Sequence, residues 1–199
     1  MASAHAEASM TVDEYLRFDE SSSVRHEYMA GEVYAMSGVT FRHNRISRNV
    51  VVRLAAAAGD GPCEVFSSDV RLRAADDVYY YPDVMVICGR VAELDTVATN
   101  PCVVVEVTSP STARIDRGEK LSAYRAISAL RAYLIVDHRR RRVERHWRAD
   151  ATAAWMRDEI VGDGNVPVPC LDVELALDAV YHRVDLATIA EPDVAEYDE

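Results

Sequence analysis

Apolar and polar positions recur in this chain at two periods, and the switch between them marks out its elements. Thr11 followed by Glu14 forms a capping box ahead of a short helix expected over Val12 to Arg17. Glu27 to Met36 reads as a hairpin turning near Ala30 and Gly31, with Val33 and Tyr34 in strand-like positions. From about His43 to Ala58 the apolar residues Ile46, Val50, Leu54 and Ala57 fall at helical spacing. Arg45, Arg48 and Arg53 stay polar there, and Gly59 can end the helix. Val65 to Arg73 alternates as a half-buried strand does. Tyr81 to Cys88 and Cys102 to Thr108 are nearly unbroken apolar runs, the pattern of central strands covered on both faces. A helix is expected over Asp116 to Ile127 with Leu121, Tyr124 and Ile127 on one face. A buried strand, Tyr133 to Asp137, then turns through Arg139 to Arg142 and returns along Val143 to Arg148. Strands near Asp158 to Val161 and Val173 to Leu175, and a helix near Asp178 to Val184, complete the chain. The pattern predicts an α/β domain, a mixed central β-sheet flanked by helices.

The length, 199 residues, suits one domain, expected over 11–188, between a flexible extension (1–10) and an acidic tail (189–199). Met10 is an alternative start. With 49% hydrophobic and 28% charged residues, the body of the chain has globular rather than disordered composition. No apolar run approaches the roughly 18 residues of a membrane helix, and no basic segment leads into an apolar one near the start, so neither a span nor a secretion signal is expected. The four cysteines, Cys63, Cys88, Cys102 and Cys170, lack CxxC or finger spacing. They are read as free, small hydrophobes, which points to a reducing, cytoplasmic setting. The net charge of -11 argues against a general basic coat for nucleic acid, although Arg139 to Arg148 is locally basic.

Two carboxylates stand out in the apolar runs. Asp83 opens one strand and Glu106 interrupts the valines of the next. A buried carboxylate is costly unless it shifts its pKa or finds a cation. If the two runs pair as an antiparallel hairpin, with Tyr81 opposite Thr108 and Cys88 opposite Pro101, Asp83 lies opposite Glu106. Facing side chains have Cβ atoms about 5 Å apart, so the two charges repel unless a proton or cation sits between them. Oxygen-only ligands suit Mg²⁺ or Mn²⁺ and the cutting of phosphodiesters. Pairing of Glu106 with an arginine or lysine is the structural alternative. Lys120, on the following helix, either returns to the carboxylates or pairs with Asp116 at the surface.

The residues His26-Glu-Tyr-Met-Ala-Gly-Glu32, His43, Tyr81-Pro-Asp83 and Glu106-Val-Thr-Ser-Pro-Ser-Thr112 occur in an order matched by one known family. Asp116, Lys120, Tyr124 and Tyr133-Leu-Ile-Val-Asp137 follow in the same order. From about Thr11 to Val184 the chain resembles the Uma-two family of restriction-endonuclease-like proteins, within the PD-(D/E)XK nuclease superfamily. The resemblance implies a restriction-endonuclease-like fold, metal-dependent DNA cleavage and a homodimer. It makes Asp83 and Glu106 the metal ligands, and Glu27 a glutamate that completes the site in related nucleases. The superfamily's lysine falls two residues after the glutamate, where this chain has Thr108; Lys120 is the candidate for a lysine moved to the helix. His43, Ser109, Arg139 and Arg140 are candidate substrate contacts. Helix capping by His43, Ser109, Ser111 and Thr112, and a solvated turn at Arg139 and Arg140, are the alternatives. A catalytically weak or inactive DNA- or protein-binding module, or a hydrolase of small phosphodiesters, would also fit the chain.

Overall fold

Backbone hydrogen bonding partitions the chain into five α-helices, a π turn and thirteen strands in the computed structural model, which describes residues 9–109 and 113–187. The acidic tail and most of the N-terminal extension lie outside the described residues, as do Ser111 and Thr112. Helix α1 (Val12–Ser21) begins at the expected capping box: Glu14 N–H donates to Thr11 Oγ1 at 3.4 Å, and Thr11 N–H donates to the Glu14 carboxylate at 2.8 Å. The hairpin of β1 (His26–Met29) and β2 (Glu32–Ala35) turns at Ala30 and Gly31, whose φ angles are 49° and 99°. The left-handed backbone there suits Gly31 at no steric cost. Helix α2 (Phe41–Ala58) is capped by Thr40 and buries Ile46, Val50 and Leu54.

The strands β3 (Cys63–Ser67), β4 (Arg71–Ala75), β5 (Val78–Tyr80), β6 (Val84–Cys88), β7 (Val97–Ala98) and β8 (Pro101–Val107) follow. Next come α3 (Ala113–Ile115), the π turn over Asp116–Lys120, and α4 (Leu121–Ala126). The chain ends with β9 (Ala132–Val136), β10 (Arg142–Trp147), β11 (Met156–Val161), β12 (Asn165–Val168), β13 (Val173–Ala176) and α5 (Leu177–Val180). The main sheet runs β11-β10-β9-β8-β6-β3 and is mixed, with β8 and β9 parallel and joined by the α3–α4 crossover. A second sheet runs β2-β1-β5-β4-β7, and β12 pairs with β13 alone.

The main sheet is covered on both faces, as its apolar strands require. Val84, Val86, Val103, Val105, Leu134 and Val136 face α2 and the β12–β13–α5 segment. Met85, Ile87, Val104, Tyr133 and Ile135 face the other way, toward Tyr124, Ile127 and Leu130. Glu106 and Asp83 occupy the second face by the period-two alternation of strands.

Four local expectations are corrected. Val65 to Arg73 is two strands in different sheets, because N–H groups of Asp69 and Val70 turn back onto the Ser67 carbonyl. The strand expected from Tyr81 starts at Val84, because Pro82 has no N–H for the ladder and the Tyr81–Asp83 segment carries the chain between sheets. The C-terminal helix stops at Val180 rather than Val184, and β12 is an extra strand holding Pro167. The cysteines are not free: Cys63 is joined to Cys88 and Cys102 to Cys170, which removes the support they lent to a reducing compartment. Sequence spacing concealed this because Cys63 and Cys88 meet through the β3–β6 register and Cys170 reaches Cys102 from the β12–β13 turn. Among the described residues no helix is long and apolar enough to cross a membrane.

Candidate active site

The β6–β8 ladder pairs Val84 with Val105, Met85 with Val104 and Val86 with Val103, the register that sets Asp83 against Glu106. A bulge shifts the register only farther along, where Ile87 meets Pro101. The two carboxylates are tied to each other's backbone. Val107 N–H donates to Asp83 Oδ2 at 2.7 Å, and Asp83 N–H lies 3.3 Å from Glu106 Oε2. The segment before Asp83 is held from behind: Tyr81 donates its hydroxyl to Asp19, which also accepts from Arg71 at 2.6 Å in a buried cluster.

Lys120 comes back from the π turn onto the sheet. Its ammonium is 2.8 Å from Glu27 Oε1, 3.1 Å from Glu106 Oε1 and 4.0 Å from Asp116 Oδ1. The surface pair with Asp116 is therefore not its main partner, and only 7% of its side chain is exposed. Tyr124 donates its hydroxyl to Glu106 Oε1 at 2.8 Å, and Tyr81 N–H reaches Glu27 Oε1 at 3.3 Å. His43, at the start of α2, brings Nε2 to 3.2 Å from Asp83 Oδ2.

The electrostatics follow from burial and from a surplus of acid. Burial pushes the Glu106 pKa up from 4.5 to about 8; Lys120 opposes that shift and the charge on Asp83 adds to it. Burial works against the charge on Lys120, but Glu106, Glu27 and Asp116 outweigh it and hold the ammonium protonated. Burial likewise lowers the His43 pKa, yet the Asp83 carboxylate more than reverses this and the net shift is upward. Glu27, Asp83, Glu106 and Asp116 thus line one cleft of about 670 Å³ together with the Lys120 ammonium and the His43 imidazole.

The cleft also receives Ser109, Thr108, Arg114, Glu119, Tyr80 and His138. Arg139 and Arg140 do not line it; their N–H groups close the turn on Asp137 Oδ1 at 2.8 and 3.2 Å. Their neighbour His138 is the residue that points into the cleft. Spacing offered no signal for His138, because the β9–β10 turn meets the site only in the folded chain. Tyr124 was legible as a core aromatic, and its hydroxyl contact with Glu106 was not.

The donor set fits a hard divalent cation: carboxylate oxygens and a surplus of acidic groups, with no cysteine among the lining residues. Among the described residues no three carboxylate or imidazole groups bring ligand atoms within 4.8 Å of one another. An ion held by Asp83 and Glu106 would take the rest of its shell from water, backbone or substrate, as Mg²⁺ commonly does.

The chain is 35% identical over 158 residues to an uncharacterized protein of Synechocystis sp., covering 77% of this chain and 89% of that one. A second uncharacterized Synechocystis protein is 30% identical over 174 residues, with coverage of 86% and 91%. Among solved structures, a crystal structure described as "a putative nuclease belonging to DUF820" from Anabaena variabilis superposes with a TM-score of 0.70. Its sequence identity is 16%, and the match covers 86% of this chain and 97% of that one. That likeness establishes a shared fold. The family model Uma2, described as "Putative restriction endonuclease", matches residues 12–180, and the chain belongs to that family.

Proposed function

We propose that the protein is a metal-dependent endonuclease that hydrolyses DNA phosphodiester bonds, with Asp83 and Glu106 as ligands for Mg²⁺ or Mn²⁺. The observation that carries this reading is the cleft in which Asp83 and Glu106 face each other, with Glu27 and Asp116 gathered beside them around the buried Lys120 ammonium. A divalent cation bound there supplies a water of lowered pKa and positive charge for the phosphate oxygens.

The chain's own residues do the rest. Lys120 takes the part of the superfamily's lysine: Thr108 occupies that position of the sequence, and the ammonium approaches Glu106 from the π turn instead. It orients the attacking water or offsets charge that develops on phosphate. Glu27 holds Lys120 in place, Tyr124 fixes the Glu106 carboxylate, and His43 holds Asp83. Arg114 and Ser109 line the cleft and can donate to phosphate oxygens. A homodimer belongs to the same proposal and rests on family resemblance.

The test is nicking of supercoiled plasmid with Mg²⁺ or Mn²⁺. The expected result is cleavage that disappears in Asp83→Asn and Glu106→Gln. Identical traces for wild type and variants would refute the enzyme. Retained DNA binding in that case would favour a module without chemistry, which Thr108 and the net charge of -11 make the second reading.

A further inference from the structure

Four cysteines far apart in sequence meet at one end of the main sheet. Cys63 opens β3, Cys88 closes β6, Cys102 is the second residue of β8, and Cys170 lies in the turn between β12 and β13. Cys63 and Cys88 are direct partners in the β3–β6 register. Cys102 and Cys170 are joined across 68 residues of sequence. The two pairs are not separate: the sulfurs of Cys88, Cys102 and Cys170 all lie within 4.8 Å of one another. Cys63 Sγ is also 3.8 Å from the Cys170 carbonyl oxygen. Cys63 is buried, Cys102 and Cys170 are half-buried against the same apolar cluster, and Cys88 is exposed.

We propose that this cluster, with its thiols reduced, is a structural binding site for one soft divalent cation of the zinc class, held by Cys63, Cys88, Cys102 and Cys170. A tetrahedral zinc thiolate has Zn–S bonds of about 2.3 Å, which sets its sulfurs roughly 3.8 Å apart. Three of the four sulfurs already lie within 4.8 Å of one another, and Cys63 is tied to that group through Cys88. Four sulfurs leave no open position, which marks a structural rather than a catalytic centre. The ligands come from three strand ends and one turn, so the ion would fasten the β12–β13 hairpin to the main sheet. This end is opposite to the carboxylate cleft: Asp83 precedes β6 and Cys88 closes it, while Cys102 starts β8 and Glu106 lies near its end. The two sites also differ in ligand softness, and neither depends on the other.

Disulfide and metal forms exclude each other. Binding takes four thiolates and releases their four protons, with no change of oxidation state. Reaching the thiols requires a reductant; a phosphine with water breaks each S–S bond, giving two thiols and the phosphine oxide. The experiment uses the full chain treated with a phosphine, with thiols counted and folding checked by circular dichroism, then titrated with Co²⁺ and Zn²⁺. The expected result is one thiolate-bound cobalt ion per chain, read from intense tetrahedral-thiolate bands that Zn²⁺ bleaches. The bands are lost in Cys170→Ser and Cys88→Ser and retained in Asp83→Asn. Zinc at a hundredfold excess over its Kd should raise the Tm by about 5–10 °C. Free thiols in a folded chain without those bands would overturn the proposal. So would bands that persist in either cysteine variant, or sulfurs that the phosphine cannot free in the folded protein.

Discussion

Replacing Lys120 with methionine removes the ammonium from among Glu27, Glu106 and Asp116 while keeping most of the side-chain volume. At distances of 2.8, 3.1 and 4.0 Å, an effective dielectric of about 20 gives attractions of roughly 6, 5 and 4 kcal/mol. Desolvation of the buried ions cancels much of this, several kcal/mol for each. Removing one partner of such a cluster therefore costs about 3–5 kcal/mol, a Tm loss of roughly 6–20 °C for a chain of this size. The pH dependence has a definite sign. Glu106 is raised from 4.5 to about 8, so the folded chain binds that proton more tightly than the unfolded chain across this window. Its contribution is complete below about 4.5 and is lost as pH rises to about 8. Without Lys120 the ionised carboxylate loses its cationic partner and keeps only neutral donors, so the penalty at pH 8 should exceed that at pH 5. Urea unfolding followed by circular dichroism measures both, and Glu106→Gln in the same background should recover part of the loss. A Tm change under about 3 °C, a pH-independent penalty, or strict additivity of the two substitutions would refute the reasoning.

Three further outcomes are expected. Glu144 is buried and accepts from Arg157, His146 and Arg117, which hold its pKa down to about 2 despite desolvation. That stability is present above pH 4.5 and lost as pH falls toward 2, so Glu144→Gln should flatten the acid limb of the stability curve. The loss is on the order of 2 kcal/mol once screening at the exposed Arg157 is allowed for. Thr11→Ala removes the cap on α1 and should cost about 1 kcal/mol in urea unfolding. His43→Ala frees Asp83 Oδ2 from its imidazole partner and should weaken divalent-ion affinity by roughly 10–100-fold in a calorimetric titration, with little change in fold.

Much of the site was legible because it rests on local rules. Asp83 and Glu106 sit in apolar strands whose pairing has one sensible register, and the structure adopts it at Val84–Val105 through Val86–Val103. Lys120 was identifiable by its place one turn after Asp116, although the π turn that carries it inward was not. What spacing hid depends on long-range assembly. His138 reaches the cleft from a distant turn, and the β4–β5 strands leave the main sheet because of turn chemistry at Ser67–Val70. The cysteines read as isolated because sequence separations of 25 and 68 residues carry no motif. Their contact is created by the β3–β6 register and by the β12–β13 turn.

The most direct test of the proposed centre is a Mn²⁺ titration of the full chain, followed by the electron paramagnetic resonance of the free ion. Wild type should take up manganese at a site whose affinity falls by at least about tenfold in both Asp83→Asn and Glu106→Gln. Superimposable binding curves for the three proteins would contradict it.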